Sequence, residues 1–301
     1  MTIYKNKVTA ILLNFNGYKD TINCIKSLYN LNYEDLNIVV VDNASTDGSV
    51  NYINSAFPDM PIIINEKNWG YSKGFNIGIK KALELNTDYI LILNNDTILH
   101  PELLNELVKT ARSEYKAGAV FGKVYFYGTN KIQSAGKTFN SYLLNSKIIG
   151  FGEADVGQYD KVQEYNFADD VCLLLSREAL ESIGGYDPDL FLYYEEVDLF
   201  IRLNKANFKL YYNPNAIIWH KVSQSSGGGW NPLKSYHLSR SKIICLRKNL
   251  NDFRFSIAFL LILFTEIPKQ MLNWFLKGKV ELSNATLRGF ISGIKWVIGN
   301  N

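Results

Sequence analysis

The sequence predicts an α/β fold, with a mostly parallel central sheet covered by helices on both faces and a helical extension at the C-terminal end. Three observations carry this. Compact apolar runs at 8–13, 36–41, 61–64, 89–93 and 117–126 alternate with segments whose apolar residues recur at helical spacing. Strands alternating with helices imply right-handed βαβ units and a sheet buried on both faces. After residue 230 the pattern is helical and basic to the end.

The elements follow in order. Residues 8–13 form the first strand, with a polar turn at 14–19, and Ile22, Ile25, Leu28 and Tyr29 mark a helix. A second strand, 36–41, ends at Asp42. Residues 43–48 are turn chemistry, with Ser45, Thr46 or Asp47 available to cap a helix over 50–57. A strand at 61–64, a helix at 72–85 and a strand at 89–93 come next, the last stopping at Asn94-Asn95-Asp96. His100-Pro101-Glu102 opens another helix, with proline at a favoured first position, and 117–126 is the fifth strand. The alternation is lost over 127–168, which is rich in Tyr, Asn, Gly and Lys and reads as hairpins and loops. Residues 171–175 form a buried strand, and 177–183 a short helix stopped by Gly184-Gly185. A helix at 195–205 turns Val197, Ile201 and Leu203 inward, and 209–212 and 216–219 are short strands. Residues 222–230, containing SQSSGGGW, read as a loop or flexible lid.

The 301 residues suffice for a sizeable core, and 47% hydrophobic against 20% charged excludes disorder as the main state. Net charge is +3, unevenly spread: residues 221–301 hold 12 Lys and Arg against 3 Asp and Glu, so a net −6 body carries a net +9 tail. Such a tail suits an anionic surface. Cys24, Cys172 and Cys245 are far apart and form no CxxC pair, which argues against a structural zinc site or a disulfide framework. The N-terminal apolar run reads as a strand rather than a signal peptide. The longest apolar run, FSIAFLLILF at 255–264, is half of what a spanning helix needs, and its extension crosses Glu266, Pro268 and Lys269. No ordinary transmembrane span is therefore expected.

Polar residues gather at the strand ends, where open α/β sheets bind ligands: Asn14 and Asn16, Asp42 and Asn43, Asn94 to Asp96. A carboxylate at a strand end suits a hard divalent cation held against a diphosphate; alone, the NND triplet is more often a plain polar turn. Glu195-Glu196-Val197-Asp198 puts three carboxylates in one turn at a helix start. That is either capping of the helix dipole or, next to the aromatic FLYY, a crowded set whose raised pKa values suit a general base. His220 ends an apolar strand and is either structural or a partner for Asp96 at a metal. Gly70, Gly74 and Gly78 do not form GxGxxG, and GxxxxGK[ST] does not occur, which removes most support for dehydrogenases and P-loop enzymes.

Five segments then carry a resemblance: IVVVDNASTDGS, NEKNWGYSKGFNIGI, YILILNNDT, FADDVCLLLSREALESIGGYDPDLFLYYEEVDLFIRL and NPNAIIWHKVSQS, in that order. Over roughly residues 7–230 the chain resembles family 2 glycosyltransferases of the Rossmann-like GT-A fold, most closely the rhamnosyltransferase-like members that build bacterial surface polysaccharides. The resemblance implies a transferase domain over 1–230 and a basic, apolar helical region over 231–301. It implies a nucleoside diphosphate sugar as donor, a dTDP- or UDP-sugar, bound through Asp42 at the base, Asn14 and Phe15 beside it, Asn76 and Asn95. Asp96 and His220 match the metal site, for Mg²⁺ or Mn²⁺. Glu196 matches the catalytic aspartate of an ED pair, with Glu195 and Asp198 as neighbouring candidates. The sequence departs from the family at two places. Glu196 is longer by a methylene than the usual aspartate, and Asn94 replaces the first aspartate of the metal motif.

The implied reaction is a single inverting displacement on the donor by a hydroxyl of a glycan or lipid-linked acceptor. Its rival is a catalytically silent sugar-nucleotide or glycan-binding protein on the same fold. The tail's composition suits helices lying in a membrane interface, which would place the protein in the cytoplasm at the inner face of the cell membrane; the other reading is packing on the catalytic domain or in a homodimer. Its long apolar runs argue against nucleic-acid binding.

Overall fold

The computed structural model describes residues 6–221 and 229–300. The lid or loop expected at 222–230 lies mostly outside the described residues. The first half runs β1 (Val8–Asn14), α1 (Tyr18–Tyr29), β2 (Leu36–Asp42), α2 (Ser49–Ala56), β3 (Ile62–Ile64), α3 (Gly70–Glu84), β4 (Tyr89–Asn94), β5 (Thr97–Leu99), α4 (Leu103–Ser113) and β6 (Ala117–Phe126). Then come β7 (Ile132–Ser134), β8 (Lys137–Asn140), β9 (Asn145–Ile148), β10 (Gln163–Tyr165), β11 (Cys172–Ser176), α5 (Arg177–Ile183), α6 (Glu195–Lys205) and β12 (Lys209–His220). The C-terminal region holds α7 (Pro232–Asn249), α8 (Asp252–Leu261), a π turn (Ile262–Glu266), α9 (Ile267–Leu276) and α10 (Val280–Gly299).

The main sheet has the order β10-β12-β6-β11-β4-β1-β2-β3. β3, β2, β1 and β4 are parallel neighbours, as are β6 and β12. β11 runs antiparallel between β4 and β6, so the fifth predicted strand does not lie beside the fourth. The reversal has a positional effect: the amino end of β11 lies at the carboxyl end of β4. β1 and β4 sit mid-sheet and are buried on both faces, which is why they read as continuous apolar runs.

Helix α3 lies unusually close to the sheet. A Cβ at Gly78 would collide with the Ile11 side chain, and one at Gly74 would lie 2.6 Å from Leu13 Cδ1. The small-residue spacing in this helix thus serves helix–sheet packing. Gly70, at φ +78°, starts α3 against Phe191, whose carbonyl accepts from Tyr71 N at 2.7 Å.

Several local expectations change. The two short strands at 209–212 and 216–219 are one strand, β12, with a register shift between Asn213 and Ile217. Pro101 precedes its helix, which starts at Leu103. The residue capping α2 is Gly48 in the left-handed region, while Asp47 Oδ1 accepts from Ser49 N at 3.0 Å.

Among the described residues, helices α7 to α10 do not form a separate core. Ile243, Ile244, Cys245 and Leu246 of α7, with Phe290 of α10, share one apolar cluster with Leu199 and Phe200 of α6. Pro268 and Glu266 do not break the apolar stretch either. α8, the π turn and α9 are continuous from Asp252 to Leu276, long and apolar enough by length and composition to cross a membrane. Proline removes an N–H and crowds the carbonyl four residues back, here that of Phe264, which lies within the wider π turn.

Candidate active site

Three polar groups gather at the carboxyl ends of the parallel strands. The first is built on paired strand ends: β1 and β2 are in register with Asn14 opposite Asp42. Asp42 is fully buried and accepts from Asn14 Nδ2 at 2.7 Å, Ser45 N at 2.8 Å and Ser45 Oγ at 2.7 Å. These bonds replace the water that a buried carboxylate gives up. Asn16 Oδ1 accepts from Thr46 N at 2.8 Å, fastening the half-buried Phe15 loop to the turn after β2. Asn43 joins the group to α3, donating to Gly70 O at 2.9 Å and accepting from Asn65 Nδ2 at 2.8 Å.

The second group depends on β5, a strand too short to read from sequence. β5 pairs antiparallel with β12, setting His220 opposite Thr97, and this brings His220 Nε2 to 3.0 Å from Asp96 Oδ1. His220 Nδ1 lies 3.0 Å from Gln133 Oε1 of β7. Both Asp96 and His220 are buried. Asn95 turns the other way: its amide donates to Thr21 Oγ1 at 2.8 Å, and Thr21 donates to Asn14 Oδ1 at 2.7 Å. The chain Asn95–Thr21–Asn14–Asp42 thus ties the first two groups together.

The third group is acidic. Tyr193 and Tyr194 both sit in the left-handed region, at φ 66° and 68°, immediately before α6. Two such non-glycine residues in sequence are costly and persist only where packing imposes them. They direct the start of α6 so that Glu195 and Glu196 meet Asp169 and Asp170, which the reversed β11 delivers to the same edge. Lys137 of β8 pairs with Asp169 and stands 3.9 Å from Glu196 Oε1. Tyr186 Oη donates to Asp170 Oδ2 at 2.9 Å. Burial, then the charge of Glu196, pushes Asp170 up to about 7. Burial and the neighbours Glu196 and Asp170 push Glu195 well above the usual carboxyl range. Burial also raises Glu196, against the pull of Lys137. A cavity of about 390 Å³ opens beside Glu196, walled by Leu144, Asn145 and Ser146 of the β8–β9 hairpin and by Tyr194 and Leu238. A larger cavity of about 690 Å³ lies near Tyr33, Asp35 and Arg112, at the opposite end of the strands.

The structure therefore gathers Asn14, Phe15, Asp42, Asn95, Asp96, His220, Glu195 and Glu196 along one edge. Two residues expected there have other uses. Asn76 spends both ends of its amide on the backbone of Tyr186, at 2.7 and 2.8 Å, bracing α3 to the segment after α5. Asp198 accepts from Arg202 Nε at 2.7 Å and Asn249 Nδ2 at 2.9 Å, facing α7; it is a packing residue of the C-terminal helices, not part of the acidic group. Lys137, Gln133, Asp169 and Asp170 were missed. The one available signal was the pair of carboxylates directly before an apolar strand.

A family model for Glycosyl transferase family 2 matches residues 9–184. The low-salt glycan biosynthesis hexosyltransferase Agl10 of Haloferax volcanii is 27% identical over 207 residues, covering 67% of this chain and 63% of that protein. The poly-beta-1,6-N-acetyl-D-glucosamine synthase of Staphylococcus epidermidis is 22% identical over 225 residues, covering 74% and 52%. The chain thus spans less than two thirds of the length of either relative. Among solved structures, the mannosyltransferase PcManGT from Pyrobaculum calidifontis, in complex with GDP-Man and Mn²⁺, matches with a TM-score of 0.59 at 14% identity, over 99% of this chain and 89% of that one. GalNAc-T7 with UDP, GalNAc and Mn²⁺ also reaches 0.59 at 14% identity, over 80% and 51%. At that identity the likeness shows the fold.

Proposed function

The chain belongs to glycosyl transferase family 2 and has its GT-A fold, and from that premise we propose that it is an inverting glycosyltransferase. The donor is a nucleoside diphosphate hexose or deoxyhexose, and the acceptor is a hydroxyl of a glycan or lipid-linked glycan in surface polysaccharide synthesis. The observation that carries this reading is the convergence on one sheet edge of the Asp42 network, the Asp96–His220 pair and Glu196 beside a cavity. The rhamnosyltransferase-like motifs of the sequence favour a deoxyhexose.

In this reading Asp42, with Asn14 and Phe15, receives the nucleoside. Asp96 and His220 fit a divalent cation: one oxygen and one nitrogen ligand, with Gln133 orienting the imidazole from behind. Mg²⁺ and Mn²⁺ need only a few protein ligands when substrate phosphates supply others. When bound, such a cation offsets charge on the leaving diphosphate. Glu196 accepts the proton of the acceptor hydroxyl, whose oxygen forms the new bond to the anomeric carbon as the bond to the diphosphate breaks. The nucleoside diphosphate leaves with that electron pair, and the anomeric configuration inverts.

The continuous helix from Asp252 to Leu276 supports attachment to a membrane at its cytoplasmic face. Phe253, Leu260, Leu261, Phe264, Leu272 and Leu276 are exposed at spacings that share one side of the helix. Arg254, Lys269, Lys277 and Lys279 accompany them. Apolar residues with basic neighbours suit an interface with anionic lipid, where a lipid-linked hydroxyl would be presented. The test of the enzymatic reading is a panel of dTDP-, UDP- and GDP-sugars, with mass analysis of released nucleotide and NMR of the product anomer. Donor binding without transfer or hydrolysis across the panel would favour the silent reading, and a retained anomeric configuration would refute the single displacement.

A further inference from the structure

Lys137 opens β8 with its side chain 10% exposed, its ammonium paired with Asp169, 3.9 Å from Glu196 Oε1 and 5.2 Å from the centre of the Phe167 ring. Among the described residues it is the cation that pairs with this set of carboxyls, Asp169, Asp170, Glu195 and Glu196. Four carboxyls enclosed together do not all ionise, because like charges at close range disfavour the second ionisation. Something must decide which of them carries charge at neutral pH.

We propose that Lys137 is the positioning residue that singles out Glu196 as proton acceptor, keeping its carboxylate ionised beside the cavity while Glu195, whose Oε2 meets no partner among the described residues, keeps its proton. This rests on the reading of Glu196 as the base. The surroundings agree. Glu195 Oε2 is buried without a partner among the described residues, an arrangement suited to a neutral acid and poor for an anion, whereas Asp170 accepts from Tyr186 Oη and is better provided for as an anion. Burial lowers Lys137, yet Asp169 and Glu196 more than offset it, so the ammonium stays charged.

Of the other titratable groups near the turn, Lys242 is paired with Glu266 and Asp198 with Arg202, and the phenols and the thiol stay neutral near pH 7. Burial raises the phenols of Tyr71 and Tyr194 and the Cys245 thiol of α7 well above their ordinary values, and Tyr193 to about 12. None of them competes with Lys137 for the charge state of Glu196. Asp169 does, since it shares the same ammonium. It follows that removing the lysine and removing its second partner must act on the base in opposite directions.

The test is the pH dependence of kcat in the full-length protein. In Lys137→Met the acidic limb should move up by about one pH unit or more, the effect of losing an opposite charge at this range. Turnover at pH 7 should fall about tenfold or more, while donor affinity stays within about twofold. Lys137→Arg should return the limb toward its original position. Asp169→Asn, which leaves Lys137 to Glu196, should move it down. If Lys137→Met does not fold, the Asp169→Asn shift decides alone. Glu196→Gln, run in parallel, separates the two readings: its loss of turnover with an unmoved limb in Lys137→Met and Asp169→Asn overturns the role of Lys137 only. Retained turnover in Glu196→Gln overturns the base assignment and this proposal together.

Discussion

Glu196 and Asp198 carry the same functional group two residues apart, and their loss should have opposite signatures. Asp198 is buried and accepts from Arg202 Nε at 2.7 Å and Asn249 Nδ2 at 2.9 Å. In Asp198→Ala the Asn249 amide loses this acceptor, though it also donates to Cys245 O at 3.0 Å. Arg202, whose Nη1 still reaches Ile183 O at 2.9 Å, loses its carboxylate. Hydrogen bonds to a charged group contribute about 1.5–3 kcal/mol each. Discounting the Arg202 bond, because that side chain is one-quarter exposed, gives a loss of about 3 kcal/mol. At about 2–4 °C per kcal/mol for a large domain, the melting temperature should fall by about 6–12 °C. Turnover per folded molecule at 20 °C should stay within about threefold, since the residue faces α7. Glu196→Gln should do the reverse, with an almost unchanged melting temperature and about 10²–10⁴-fold less transfer, the usual cost of a lost general base. Thermal melts and a transfer assay on both variants decide the matter. An Asp198→Ala protein that melts normally but has lost transfer would return Asp198 to the catalytic set and refute the geometric argument.

Three further outcomes are expected. Asp96→Ala should weaken Mn²⁺-dependent donor binding strongly and His220→Ala less so, by calorimetry with and without metal; unchanged affinity in both would remove the metal assignment. Asp170 has a folded-state pKa raised to about 7, above the unfolded value of about 4. Its contribution is therefore fully present below about pH 4 and is lost as pH rises through about 7. Asp170→Asn should flatten the fall in melting temperature between those limits, and a slope identical to the wild type would contradict the assigned burial. Replacing Phe253, Phe264 and Leu276 by serine should weaken binding to anionic vesicles at least tenfold, because each buried side chain of this size contributes about 1.5–3 kcal/mol. Salt should weaken the wild type's binding without eliminating it, and an unaltered vesicle affinity in the triple variant would move the contact elsewhere.

Much of this architecture was legible because β1, β2 and β4 are buried on both faces and announce themselves as apolar runs. The helix limits at Glu195 and Lys205 followed from the pattern of Val197 and Ile201. The direction of β11 was not legible, since a buried strand carries no mark of which way it runs. The three-residue β5 left no periodicity either, and with it the reason that His220 meets Asp96. Within the site, Asp42, Asp96, His220 and Glu196 stood at strand or helix ends, where sequence position and geometry coincide. Lys137 and Asp169 meet across segments without periodicity, and only the folded hairpin brings them together. The direction of Asp198 was legible: residues two apart on a helix point about 200° apart, at about 100° per residue, so Glu196 and Asp198 face different ways. For Asn76 no such rule existed, because its partner is a backbone 110 positions away.

The reversed strand also sets an order in time. β1 to β4 complete a parallel unit by Asn94, whereas β6 emerges with neither of its long neighbours, β11 and β12, yet made. At about 5–20 residues per second, the roughly 50 residues before β11 follows take about 3–10 s. For that interval a ten-residue apolar strand has only the short β7 to pair with, and unpaired edges of this kind invite association with other chains. Nascent chains stalled between residues 130 and 170 should therefore be the species that chaperones hold and that aggregate when synthesis outruns them, and chains stalled after residue 220 should not.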